Sequence, residues 1–304
     1  MKQVFAATFV GLMAGTATQA WADISVVASI KPVHSLVASV MEGAGTPELT
    51  VKGGASPHTY SLTPTDAEAL QNAKVIFWIG HEMEAFLEKP MEALPSGATV
   101  VSLMDNNNLS LLPVREGNGF DPDEHEGGEE HGDGENDPHV WLDPHNAAAM
   151  VDEIAATLAK ADPENAQRFT DNAEKTKQQL AALESEITQV LAPLKDKHFI
   201  TFHDAFQYFE KRFELPSSGA ISIHPENPPG AKGIREIKDR LQSAKVTCVF
   251  SEPQFDSKLV NLIVEGTEVK TGVLDAEAGT LEPGPALYGQ LLRDIATSLK
   301  NCLG

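Results

Sequence analysis

Ten histidines stand in a chain of 304 residues whose formal net charge is −21. Four of them, His125, His131, His139 and His145, fall within one stretch, "EHEGGEEHGDGENDPHVWLDPHN", at residues 124–146. Imidazole nitrogen and carboxylate oxygen are ligands of divalent transition metals, and zinc takes three or four of them in a tetrahedron. Residues 121–137 hold nine carboxylates and no lysine or arginine. A field of that sign attracts cations and repels anionic lipid and nucleic acid, which argues against a nucleic-acid partner. The acidic run has no apolar periodicity, so residues 117–137 read as a solvated loop. His125 and His131 would collect metal weakly there, unless the loop serves only solubility. The back part, "DPHVWLDP", offers His139 to a more ordered site, while His145 reads as a structural residue near the start of the next helix.

Ligands from a loop need rigid elements to aim them, and the chain supplies these in a regular order. It opens on "MKQVFAATFVGLMAGTATQAWADIS", one basic residue, an apolar run and then small residues, which reads as a secretory signal over residues 1–22 with a cut before Asp23. The apolar run is too short to span a bilayer comfortably, and no cysteine near the cut could carry a lipid. A soluble exported protein is therefore expected. Its two cysteines, Cys248 and Cys302, would meet an oxidising compartment, where an even count favours one disulfide over two buried thiols. Closing that loop would contribute about 3–4 kcal/mol in the chain-entropy model.

From Asp23 onward, short apolar runs alternate with helical stretches: "ISVVAS", "PVHSLVASVM", "ELTVKG", "TPTDAEALQNA", "KVIFWIG", "EMEAFLEKPMEAL", "ATVVSL". That alternation predicts a parallel sheet with crossover helices, an α/β lobe over residues 23–161. Asp162 as N-cap and Pro163 at the first helical position then open one long helix over residues 162–194. Its apolar and small positions step by three and four from Ala166 to Leu194, about 45 Å of continuous stripe. The βα pattern restarts at "HFITF" and predicts a second α/β lobe over residues 195–304, with Cys248 in a central strand and Cys302 ending the last helix. Two lobes on a rigid connector form a cleft, and parallel sheets bind ligands beyond the carboxyl ends of their strands.

His58, His81, His203 and His224 all fall just after strand ends, His139 precedes a helix, and His34 lies early in the first one. Position alone does not choose among them. In "GGASPHTYSLTP" the glycines and Pro57 set a tight backbone that presents His58, and prolines flank His139 and Trp141. His203 follows directly on an apolar strand, with Asp204 placed to cap the next helix or to hold the imidazole. One such histidine alone reads as structural; three together in a cation-attracting exported chain read as a metal centre.

"GASPHTYSLTPTDAEALQNA", "FWIGHEMEAFLEKP", "DPHVWLDP", "ITFHDAFQYF", "TCVFSEPQF" and "VLDAEAG" together resemble ZnuA-type periplasmic zinc-binding proteins, of the metal-specific cluster (cluster A-I, or cluster 9) of ABC-transporter solute-binding proteins. The resemblance covers nearly the whole mature chain. It implies two α/β lobes joined by a long helix with metal in the interlobe cleft, ligand roles for His58, His139 and His203, and a Cys248–Cys302 pair. It also implies capture of Zn2+ in the periplasm and its delivery to an inner-membrane ABC permease for zinc import, with a periplasmic zinc chaperone as a further partner and the protein itself monomeric. The related manganese and iron proteins usually have a carboxylate where His203 stands, and imidazole there suits zinc over manganese. Some zinc members have glutamate before the first histidine, where this chain has Pro57. The fourth position then falls to Asp275, which matches a ligand of other members, or to water.

A manganese or iron transport protein of the same fold is the nearest alternative. A zinc-dependent hydrolase is the rival of a different class, but no HExxH or similar base-bearing motif occurs, and Glu252 and Asp204 are no more than possible bases. A surface adhesin on this fold lacks the expected lipid anchor. The chain is therefore expected to be a carrier and not an enzyme.

Overall fold

The structure is a computed structural model that describes residues 24–94, 97–115, 117, 135–223, 225 and 229–304. The expected signal segment, residues 1–22, and the loop histidines His125 and His131 lie outside the described residues, as does His224.

The first lobe is built on β1 (Val26–Ala28), β2 (Glu48–Leu49), β3 (Val75–Trp78) and β4 (Thr99–Ser102), in the order β2-β1-β3-β4. Every pairing is parallel. Between the strands run α1 (Lys31–Val40), α2 (Pro64–Asn72) and α3 (Ala85–Glu92), and α4 (Pro144–Ala161) completes the lobe. β1 is buried along its whole length and β3 nearly so, as the inner strands of a sheet covered on both faces must be. α2 starts where expected: the Thr63 side chain accepts from the Asp66 N–H, the Asp66 carboxylate takes the Thr63 N–H, and Pro64 holds the first helical position.

The second lobe repeats the plan with β5 (Phe199–His203), β6 (Ser217–Ser222), β7 (Cys248–Ser251) and β8 (Lys270–Val273), all parallel, in the order β6-β5-β7-β8. Its helices are α6 (Gln207–Phe213), α7 (Ala231–Ser243), α8 (Lys258–Val264) and α9 (Leu287–Leu303). Cys248 at the start of β7 is bonded to Cys302 near the end of α9, with Cα atoms 6.2 Å apart. The chain terminus is thereby tied to the sheet.

The long connector α5 runs Ala166–Leu191 and ends in a 3-10 turn at Ala192–Leu194. It starts four residues later than the sequence suggests, and at 1.5 Å per residue its 26 residues span about 39 Å. Before it the chain turns with i→i+3 bonds, the Ala166 N–H to Pro163 O at 3.4 Å and the Asn165 N–H to Asp162 O at 3.3 Å. A residue before proline is pushed out of the helical region, and Asp162 takes φ −136°, ψ 81° and closes α4. Its carboxylate then accepts from the Asn165 side chain at 2.7 Å, and Asn165 becomes the residue before α5. Of the expected stripe, Phe169, Ala173, Thr176, Leu180, Leu183, Ile187 and Leu194 are buried, while Ala166 and Val190 are half-buried and Leu191, next to Val190, takes the buried place at the end of α5.

The two lobes are not separate bodies. One apolar cluster extends from Val26 through Ile154 of α4 and Leu183 of α5 to Leu299 of α9. Polar contacts cross as well. The buried Lys31 ammonium donates to the carbonyls of Ala278, Gly279 and Leu281 at 2.8–3.0 Å, and the Trp141 indole donates to Ala276 O at 3.0 Å. Among the described residues no helix is long and apolar enough to cross a membrane.

Candidate metal centre

His58 arrives on the loop after β2. Gly53 turns that loop with φ +66°, a conformation that costs glycine little, and Pro57 starts the 3-10 turn Pro57–Thr59 that presents the imidazole. Asp66, at the start of α2, fastens the loop from below. It accepts from Lys52 at 2.8 Å ahead of the histidine and from the Tyr60 hydroxyl at 2.9 Å behind it. Burial pushes the Asp66 carboxyl up, but the hydrogen bonds from Lys52, Thr63 and Tyr60 prevail and hold it at about 2.

His139 stands at the entrance to a 3-10 turn, Val140–Leu142, whose three side chains are buried and lock the backbone. Asp137 Oδ1 accepts from both the His139 N–H, at 3.0 Å, and Nδ1, at 2.7 Å. His203 is the last residue of β5, at the carboxyl edge of the second sheet. Glu252 Oε1, just past β7, accepts from the His203 N–H at 3.1 Å and from Nδ1 at 2.6 Å. β5 and β7 are neighbours on whose two sides the strand order diverges, the switch point at which ligands of open parallel sheets bind.

The consequence is a matter of lone pairs. With Nδ1–H of both rings given to carboxylates, each Nε2 is left as an acceptor, and the two face each other at 3.3 Å. Two acceptors at that distance repel unless a proton or a metal ion lies between them. The His58 ring completes the group, 5.5 Å from His139 and 5.8 Å from His203 between ring centroids, and one ligand atom from each of the three lies within 4.8 Å of the others. Burial lowers the basicity of His203, but the charge and hydrogen bond of Glu252 outweigh it, so its pKa lies above the ordinary value. Protonation of that ring competes with any metal.

Among the described residues this is the one group of three or more His, Cys, Asp or Glu whose ligand atoms converge in this way, and Asp275 is not in it. The Asp275 Oδ1 accepts instead from Gln254 Nε2 at 2.9 Å and from the Glu277 N–H at 3.1 Å. Asp204 does not hold His203 either. It pairs with Arg115 at 3.0 Å, and burial lifts its carboxyl to about 7 although Arg115 opposes this. The remaining described histidines are occupied elsewhere: His34 with Pro47 O, His81 with Glu88, His198 with the Ser218 hydroxyl. His145 is the second residue of α4 and pairs with Glu184, a structural role as expected.

The two carboxylates that orient these rings, Asp137 and Glu252, are not marked as such by local sequence. Asp137 falls at the end of the stretch expected to be a solvated loop, but it is buried, because its carboxylate is tied to the His139 N–H and ring. Glu252 was not assignable to His203 without knowing that β5 and β7 are adjacent. A cavity of about 280 Å³ lined by His58, His81, Glu135, Asp137, His139 and Asp204 leads to the rings. A larger one, about 350 Å³ between α1, α5 and α9, contains no histidine, so size does not mark the site.

A family model described as zinc-uptake complex component A, periplasmic, matches residues 26–302. The chain is similar to proteins named high-affinity zinc uptake system protein ZnuA: 47% identical to that of Brucella abortus (strain 2308), with 91% of each chain covered. It is 34% identical to that of Paracoccus denitrificans (strain Pd 1222), over 92% of this chain and 91% of the relative. Among solved structures, the laminin-binding protein Lmb of Streptococcus agalactiae, described as a bifunctional protein with adhesin and metal-transporting activity, is similar at a TM-score of 0.77 and 26% identity, covering 92% of this chain and 100% of the other. A crystal structure of ZnuA shares the fold at a TM-score of 0.79 and 23% identity, over 93% and 100% of the two chains.

Proposed function

The chain belongs to the family of zinc-uptake complex component A proteins of the periplasm, and on that premise we propose that it captures Zn2+ between its lobes and passes it to an ABC permease for import. The observation that carries this reading is the convergence of His58, His139 and His203, with two of the three rings oriented by carboxylates so that Nε2 faces the shared point. Three neutral imidazoles form a borderline-soft ligand set that suits zinc better than manganese. The fourth position is filled by water or by Asp275; the Asp275 Oδ1 is engaged by Gln254 and the Glu277 N–H, so its carboxylate would reach the metal through Oδ2 after moving toward the three rings.

Zinc here is cargo. A carrier needs high affinity and a protein partner that opens the site, and a hydrolase needs an exchangeable water beside a base. Glu252 already accepts from His203, and Asp204 is paired with Arg115, so neither carboxylate is placed as that base. Residues 1–22 act as the export signal on this reading, and the mature chain works as a monomer that can also receive zinc from a periplasmic chaperone.

Metal competition tests the proposal. Zn2+ should displace Mn2+ and Fe2+ from the mature protein at equimolar concentrations, and the zinc form should not turn over ester or peptide substrates. Preference for Mn2+ or Fe2+ would move the chain to the transport of those metals, and turnover lost on His203→Ala would make it an enzyme.

A further inference from the structure

The acidic stretch is joined to the fold through a narrow neck. The Val114 N–H donates to Glu135 O at 3.0 Å, the Asp137 N–H donates to Leu112 O at 2.8 Å, and Pro113 faces Asn136 in an antiparallel bridge. This backbone belongs to the first lobe, yet α6 of the second lobe holds it. The Tyr208 hydroxyl accepts from the Leu112 N–H at 3.0 Å and donates to the Asp137 carbonyl at 2.9 Å, so one oxygen joins both strands of the neck. Gln207 Nε2 donates to Pro113 O at 3.3 Å, and Arg115 bridges to Asp204 at 3.0 Å and Glu210 at 2.6 Å.

Both ends of this linkage are at the metal centre. Asp137 holds the His139 ring and backbone N–H, while α6 begins four residues after His203 on the same chain segment. Tyr208 is buried, 2% exposed, with its ring in the shared core, so the hydroxyl is fixed in place. We infer that Tyr208 is a positioning residue of the metal centre: its hydroxyl pins the neck to α6 and so sets where His139 stands against His203. The inference rests on the proposed zinc role of the three histidines. Metal–ligand distances tolerate deviations of only about 0.2 Å, so a neck released from α6 displaces Asp137, and His139 with it, by enough to matter.

Tyr208→Phe removes the hydroxyl and keeps the ring. In the full mature chain, zinc affinity measured by chelator competition should fall about tenfold, as for loss of other groups that orient a ligand. Release of zinc into excess chelator should quicken, and the visible spectrum of the cobalt-loaded protein should shift. In a His139→Ala background the same substitution should change zinc affinity by less than about twofold, because the ligand it positions is gone. Unchanged affinity beside a tight wild type would overturn the inference. So would an equal tenfold loss in the His139→Ala background, or an effect confined to thermal stability. A wild type that does not bind zinc tightly would overturn the reading underneath, and the inference with it. Should Tyr208→Phe fail to fold, Arg115→Gln loosens the same neck by a different contact and is held to the same outcomes.

Discussion

At the scale of single residues, the candidate centre is made of three converging imidazoles and of the groups that orient them. Glu252 is the clearest of the latter: it fixes the His203 tautomer, raises the basicity of that ring and carries no ligand role of its own in the cluster. Glu252→Gln should therefore weaken zinc binding about tenfold near pH 8, and the onset of proton competition should move to lower pH because His203 loses the charge that raised its pKa. Zinc titrations across pH 5–8 read both effects. The three histidines proposed as ligands stand out in sequence because each sits in a distinctive proline- or glycine-bounded turn or at a strand end, and the structure brings their rings together. Their carboxylate partners depend on which strands are neighbours, which local sequence does not state. Asp204, which adjacency placed either to cap the next helix or to hold His203, does neither, because Arg115 takes its carboxylate.

At the scale of elements, most of the fold follows from apolar periodicity, and the exception has a definite cause. Asp-Pro at residues 162–163 is suited both to opening a helix and to ending one; here Asp162 ends α4, and residues 162–165 make a turn of i→i+3 bonds before α5 begins. The opening of α2 was legible because Thr63, Pro64 and Asp66 agree with one another. Asp66 also braces the His58 loop, and it yields a signed pH prediction. Its folded-state pKa, about 2, lies below the ordinary 3.8, so its stabilisation is complete above about pH 4 and is lost as pH falls through about 2. Asp66→Asn should lower stability by about 1–2 kcal/mol at pH 7, a few degrees in Tm. Thermal unfolding followed by circular dichroism should show that deficit closing between pH 4 and pH 2.

At the scale of the molecule, α5 and the shared core make the two lobes one mechanical body. A continuous apolar cluster and the Lys31 and Trp141 bonds across the lobes oppose wide hinge opening, so metal release on this account calls for small displacements of the ligand loops. Sequence periodicity predicted two lobes and a connector but could not show that their cores merge, because helix stripes do not name the surfaces they bury against. Deleting residues 121–134 leaves the neck contacts of Leu112, Val114, Glu135 and Asp137 intact, and the tight zinc phase should survive while any weak binding is lost. Loss of the tight phase would assign that stretch a direct part in the centre. The central claim, that imidazoles from both lobes hold one zinc ion, is met most directly by calorimetric zinc titration of the mature wild type, His58→Ala and His203→Ala. One tight site is expected in the wild type, with its loss, or a weakening of at least about a hundredfold, in each variant; a tight phase that persists in either variant would overturn that claim.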